Sequence, residues 1–288
     1  MAFESFDALA DAATGHGSLS AAALAREMLD SGEPPEAIRA RMNYILKTMR
    51  EGIDEGRSGR ALSRSGRVGG DAARLERSSH ELLGPQFGRA LSASLAVAEV
   101  NAAMGRVVAA PTGGASGVLP GVLVTVAEQI GASDEAIVDA LLTAAAVGGV
   151  IAARASLAGA AGGCQAEIGS AAAMAAAAAV EMAGGSAEAA GHAASFALQG
   201  LLGLVCDPIG GLVEVPCVAR NATGAAVALA AVEMALAGMT FPVPFDEVVD
   251  AASAVGRSLP EDLRETGRGG LAATPAARKM AAERTLVP

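Results

Sequence analysis

QAEIGSAAAMAAAAAVEMAGG, residues 165–185, is the stretch whose reading decides the fold. Alanine is the best helix former, and nothing here alternates in the manner of a strand. Gly184-Gly185 supplies a stop. A helix that is small and apolar all round belongs in an interior, where its thin faces let neighbouring backbones come close. Outward from it, Ser186 opens a helix lasting to about Gly200, and residues 218–239 make another. On the N-terminal side, Ser133-Asp134-Glu135 is a helix start whose helix can run to Arg154. Ser18 to Leu29 reads as a helix, and Pro34-Pro35 begins one with Ile38, Met42, Ile45 and Met49 at helical spacing. No set of alternating strands and no fixed-period repeat interrupts this. The expected fold is all-α, a compact bundle of closely packed Ala/Gly-rich helices with Gly/Pro-rich buried loops forming the site. Residues 1–55 read as an N-terminal helical segment and 56–288 as the body of one continuous globular unit.

Composition narrows the function. Of 288 residues 52% are hydrophobic and 18% charged, enough for a large core and too apolar for disorder. Aromatics are 2% with no Trp, which argues against a β-sandwich and against base stacking. The net charge of −10 argues against a polyanion partner, so no nucleic acid is expected. The only lysines are Lys47 and Lys279, neither in an apolar glycine-rich setting, so pyridoxal phosphate is not expected. The N-terminus carries no secretory signal pattern. The apolar stretches 137–153 and 222–239, the second containing Glu233, read as buried helices, and no membrane partner is expected. Three cysteines, an odd number, suit a reducing cytoplasm.

Three loops are apolar and glycine-rich: Ala110-Pro111-Thr112-Gly113-Gly114-Ala115-Ser116-Gly117, Gly162-Gly163-Cys164-Gln165, and Cys206-Asp207-Pro208-Ile209-Gly210-Gly211, followed by Pro216-Cys217. Such loops bring backbone N–H groups close to something and need partners for them. A fourth, residues 56–71, is a Gly/Ser/Arg run that reads as a solvated connection or as an arginine-lined mouth for a carboxylate. All cysteines lie in or beside the apolar loops. Their spacing is no metal motif, and free Cys is often simply a small buried hydrophobe. Yet Cys164 precedes a strong helix, where the dipole favours a thiolate, and Cys206 and Cys217 flank one loop. Two inorganic readings stay open. Zinc needs a fourth ligand, which His192 could supply. A four-iron cluster on three cysteines would leave one iron free as a Lewis acid.

The segments NAAMGRVVAAPTGGASGVLPGVL (101–123), GGCQAEIGSAAAMAAAAAVEMAGG (162–185), LGLVCDPIGGLVEVPCVARNATGA (202–225) and LRETGRGGLAATP (263–275) closely resemble the α chain of iron–sulfur-dependent L-serine dehydratase, as do GGDA (69–72) and AVAEVNAAMG (96–105). The resemblance covers nearly the whole chain. It implies a lyase whose [4Fe–4S] cluster sits on Cys164, Cys206 and Cys217 and which turns L-serine into pyruvate and ammonia in amino-acid catabolism. It also implies either a separate β subunit or a homo-oligomer. For substrate contacts, Thr112, Gly113, Gly114 and Ser116 offer N–H and hydroxyl donors to a carboxylate. Asn101, Asn221 and Arg220 stand beside the motifs, and Glu167 one turn from Cys164 suits the ammonium group or a supporting role. The general base has no clear candidate. His80, in RSSHELLGP (77–85), only partly echoes the family's serine-rich histidine motif, and His192 reads as a core histidine inside a helix. Arg67 and Val68 stand where the family commonly has Leu and Thr, which leaves cysteine desulfidation or threonine dehydration as alternatives, beside a non-enzymatic zinc or thiol subunit.

Overall fold

The computed structural model describes residues 3–79 and 82–283. Among them are helices α1 (Phe6–His16), α2 (Leu19–Ser31), α3 (Pro35–Arg57), α4 (Asp71–Glu76), α5 (Gly84–Ala102), α6 (Val118–Ile130), α7 (Asp134–Arg154), α8 (Gly159–Gly162), α9 (Ser170–Met182), α10 (Ala187–Gln199), α11 (Cys217–Leu236), α12 (Phe245–Ser258) and α13 (Pro275–Ala282). No strand occurs among the described residues, only an isolated bridge between Cys206 and Arg264. The fold is all-α.

The helix ends follow their side chains. Ser5, Ser18, Ser133, Ser186 and Thr274 each accept the amide three residues on, the N-cap arrangement. Gly17, Gly32 and Gly131 close α1, α2 and α6 in the left-handed conformation. Glu99 is an unforeseen cap. Fully buried on α5, it accepts the amides of Gly70, Asp71 and Ala72 and so starts α4 from another helix. Burial raises its pKa above the usual carboxylate range, against the lowering effect of those amides.

Helix α9 is the axis of the bundle. Every residue from Ser170 to Val180 is buried, with α6, α7, α10 and α11 packed around it. Helix α7 is long and apolar enough to span a bilayer, yet most of it lies inside this core. One hydrophobic core cluster includes Phe6, Leu19 and Ile38 from the N-terminal helices together with Val180, Ala231 and Val249, so it extends across both segments.

Close approach of backbones depends on missing side chains. On α3, a Cβ at Gly56 would sit 2.2 Å from the carbonyl oxygen of Ala96 on α5, against 3.6 Å from the Val97 side chain at Gly52. Gly56→Ala is therefore expected to force α3 off α5 and lower stability by about 2 kcal/mol. Gly52→Ala should be neutral or stabilising by up to about 1 kcal/mol, from helix propensity. Urea unfolding of the two variants checks this, and equal effects would contradict the packing described.

Candidate active site

The site lies where four loops meet at one end of α9. Cys164 sits immediately before a π-helical turn, Gln165–Gly169, that leads into α9. The sequence predicts an uninterrupted helix from Gln165; the wide turn at its start is a difference, of a kind frequent at functional sites. Gln165 holds it in place. Its backbone amide donates to Leu204 O, its side-chain Nε2 donates to Ala252 O on α12, and its Oε1 accepts from Gly203 N.

Cys206 belongs to the bridge. Its amide donates to Leu263 O at 2.9 Å, and its carbonyl accepts from Glu265 N at 2.7 Å. Cys217 is the first residue of α11. All three thiols are free and buried. They share one region, since Cys164 and Cys217 each push the Cys206 thiol up and Cys164 does the same to Cys217. Burial is the first cause in each case. It raises Cys164 to about 11, with Arg220 opposing, and Cys217 to about 12, and it raises Cys206 as well. Burial at Cys164 thus works against the lowering that a position ahead of a helix suggests.

Arg220 is a half-buried cation of the group. One turn into α11, it donates from Nη1 to Val205 O at 2.7 Å, lies 2.8 Å through Nη2 from Asp207 Oδ1, and its charge lowers the Cys164 pKa. Burial alone would lower its pKa, but Cys164 and Asp207 raise it overall. Asp207 also accepts Leu271 N at 2.7 Å.

Glu167 projects from the π turn. Its Oε1 accepts from Thr112 Oγ1 at 2.6 Å. A Cβ at Gly159 would stand 2.6 Å from Glu167 Oε2 and 3.2 Å from the Cys206 sulfur, so the carboxylate and the thiol face one space that this glycine leaves open. Burial raises the Glu167 pKa, Thr112 opposes, and Glu265 adds to the rise.

The loop 112–117 packs on the other side. Asn221, fully buried, donates to Gly114 O and Cys217 O and accepts from Gly117 N. It is a clamp between loop and α11, with both of its amide protons in use. Asn101 faces Gly113, whose Cβ would lie 3.3 Å from its Oδ1. Ser116 is buried, and among the described residues nothing bonds its hydroxyl. No bond to the amides of Gly113 or Gly114 is formed either.

Some residues singled out in the sequence lie elsewhere. His192 on α10 accepts at Nδ1 from Phe241 N, beyond the far end of α11, whose 20 residues span roughly 30 Å from Cys217. It is therefore not placed to complete a zinc site. His80 lies outside the described residues. Lys47 and Lys279 are on the surface beside Glu51 and Glu283. In the arginine loop, Arg67 donates to Met280 O and Val68 packs with Ala98 and Val218. That loop is tied to the cysteine loop by Glu214, buried, which accepts from Ser63 Oγ, Ser65 N and Ser65 Oγ. Sequence reasoning missed Asp207, Glu214 and Gln165, whose partners are far along the chain.

Among the described residues no trio of His, Cys, Asp or Glu is arranged to hold a single metal ion. A polynuclear centre, with a different metal atom for each sulfur, asks for a wider set of thiolates. Three thiols raised by burial, two of them also by a neighbouring thiol, are the donor chemistry such a positive centre would satisfy.

The family described as "Serine dehydratase alpha chain" matches residues 15–272. The chain belongs to the serine dehydratase alpha-chain family. It is 49% identical over 260 residues to the "Probable L-serine dehydratase, alpha chain" of Bacillus subtilis, covering 89% of this chain and 86% of that one. To the "L-serine dehydratase, alpha chain" of Peptoniphilus asaccharolyticus it is 43% identical, covering 89% of each. The "L-serine dehydratase" of Helicobacter pylori is 44% identical over 182 residues, which are 62% of this chain but 40% of that longer relative. All cysteine-bearing loops fall inside the family match.

In metal-free protein the thiolate ultraviolet absorbance is expected to appear only well above the pH at which free cysteine ionises, about 8.5. Arg220→Ala should move the Cys164 step further up, since the guanidinium lowers it. A titration at ordinary cysteine pH would contradict the burial described.

Proposed function

We propose that this chain is the cluster-bearing part of an L-serine dehydratase, a lyase that converts L-serine to pyruvate and ammonia with a [4Fe–4S] cluster on Cys164, Cys206 and Cys217. The observation that carries this reading is the presence of three buried thiols in one region, Cys164 and Cys217 acting on Cys206, with the Cys206 sulfur and the half-buried Glu167 carboxylate facing one space over Gly159. The names of the relatives support serine dehydration. When bound, the cluster would supply a Lewis acid for the departing β-hydroxyl, worth several kcal/mol.

The chain's own residues bind and orient. The unclaimed amides of Gly113 and Gly114, with the Ser116 hydroxyl, suit the substrate carboxylate. Thr112 fixes the Glu167 carboxylate in a posture open towards Cys206, where it suits the ammonium group. Arg220 is taken up by Val205, Asp207 and Cys164, so its part is to offset thiolate charge. Asn221 holds the 112–117 loop at the correct distance from Cys217. Asn101 supports Gly113 from behind. Removal of the α-proton and loss of the hydroxyl give 2-aminoacrylate, which tautomerises and hydrolyses to pyruvate and ammonia. The base is supplied by His80 or by a second polypeptide; relatives named as alpha chains, and a longer relative matched over 40% of its length, support a β subunit. The free buried thiols suit a cytoplasmic protein.

The test is anaerobic reconstitution with iron and sulfide, alone and with a candidate β chain, followed by pyruvate measurement with serine, threonine and cysteine. A brown protein that forms pyruvate from serine is expected. Replacing Cys164, Cys206 or Cys217 by Ser should bleach the colour and reduce turnover by about a thousandfold or more. A colourless protein, or zinc without inorganic sulfide, would overturn the cluster.

A further inference from the structure

A cavity of about 400 Å³ lies between the end of α7, α8, the π turn and α12, within the range of about 300–1,000 Å³ that small-molecule sites occupy. None of the three thiols lines it, nor do Glu167 and the 112–117 loop, so it is separate from the site described above. Yet Gly162 and Gln165, on either side of Cys164 in the chain, belong to its wall. Gln165 is the pin between the π turn and α12 through Ala252 O, and Ala252 lines the same cavity. Ala152, Ala153, Ala161 and Ala166 give it apolar sides.

Ser170 borders this cavity with 1% of its surface exposed, and among the described residues its hydroxyl has no hydrogen-bond partner. The reason is local. A buried serine inside a helix ordinarily bonds the carbonyl four residues back, as Ser195 does with Gly191 on α10. For Ser170 that carbonyl is in the π turn, whose wider coil does not present it at the usual spacing. A buried hydroxyl left unbonded costs about 1–3 kcal/mol, so it favours a partner arriving through the cavity.

The charge around the cavity is positive: two guanidinium groups line it and no carboxylate does. Arg154 is committed, to Asp250 at 2.6 Å and to Glu4 O at 3.4 Å. Arg257, exposed on α12, donates from Nη1 to Ser253 Oγ at 2.7 Å, and among the described residues no acid pairs with it. Its Nε and Nη2 remain as donors for a carboxylate, and Ser253, itself in the lining, has a hydroxyl proton to add.

We propose that this cavity is a second small-molecule site, for an aliphatic hydroxy- or oxo-carboxylate. The carboxylate sits on Arg257 and Ser253, the carbon chain lies against the alanines, and the second oxygen bonds Ser170. An inorganic anion would leave the alanine walls wet, and a plain hydrocarbon would leave Arg257 and Ser170 unserved. The site uses neither the thiols nor the groups assigned to serine, so it goes beyond the dehydratase reading and does not depend on it. A bound acid links α12 to the head of α9 across the same wall that Gln165 bridges, and so steadies the turn that carries Cys164.

The experiment is calorimetric titration of the full chain with 6-hydroxyhexanoate, hexanoate, hexane-1,6-diol and inorganic phosphate. The hydroxy acid is expected to bind most tightly. Hexanoate, which lacks the second oxygen, should bind about fivefold more weakly, and the diol, which lacks the charge, about tenfold. Phosphate should bind more weakly than any of them. Ser170→Ala should abolish the advantage of the hydroxy acid over hexanoate and leave hexanoate binding unchanged. Arg257→Gln should abolish its advantage over the diol. With 6-hydroxyhexanoate bound, amide hydrogen exchange should slow in α12 and across residues 165–170. No binding to the wild-type chain, phosphate binding as tightly as the hydroxy acid, hydroxy-acid binding that both substitutions leave intact, or protection confined to other helices would each overturn the site. Serine turnover is not part of the readout, so any of these failures leaves the dehydratase reading standing.

Discussion

One guanidinium holds the site together. Arg220 reaches from the first turn of α11 to the Val205 carbonyl, the Asp207 carboxylate and the Cys164 sulfur. Those three groups lie on two loops, and Asn221 ties a third, 112–117, to the same helix. The planar fork of arginine can serve several acceptors at once, as a lysine cannot. Everything around it repeats the same theme of distant segments pinned by single buried polar side chains: Gln165 to α12 and the 203 turn, Glu214 to the arginine loop, Asp207 to Leu271, Asn221 to the 112–117 loop.

This division of labour explains what could be read from the sequence. The helices were legible because their signals are local: serine caps three residues ahead of the amides they receive, glycine stops, and alanine runs without interruption. The three cysteines, Thr112, Gly113, Gly114 and Glu167 were legible because their motifs are long and contiguous. The pins were not. Glu214 serves Ser63 across 151 positions, and Gln165 serves Ala252 across 87. No spacing rule connects such pairs. Glu99, which looks like a polar interruption of an apolar helix, proves to be the missing cap of another one. Asn221 and Arg220 were legible as neighbours of the motifs, but the protein partners they engage are visible only in three dimensions.

The cysteines teach a related lesson about electrostatics. Position at the head of a helix suggests an acidic thiol, but burial is the first effect on Cys164 and raises its pKa. On the function proposed above, positive charge from outside the polypeptide would complete the site: an inorganic centre at the thiols and the substrate's ammonium group at Glu167.

The alanine axis bears on how such a protein can change over time. Helices that meet through hydrogen atoms and single methyl groups have no slack in either direction: a larger residue wedges them apart, and a smaller one has almost nothing left to remove. Larger side chains are therefore expected to be tolerated on the outer faces and the solvent-facing turns, and poorly at the alanine contacts of α9. An enzyme with such a scaffold can acquire a new specificity by altering its loops, but has little freedom to do so by reshaping its core.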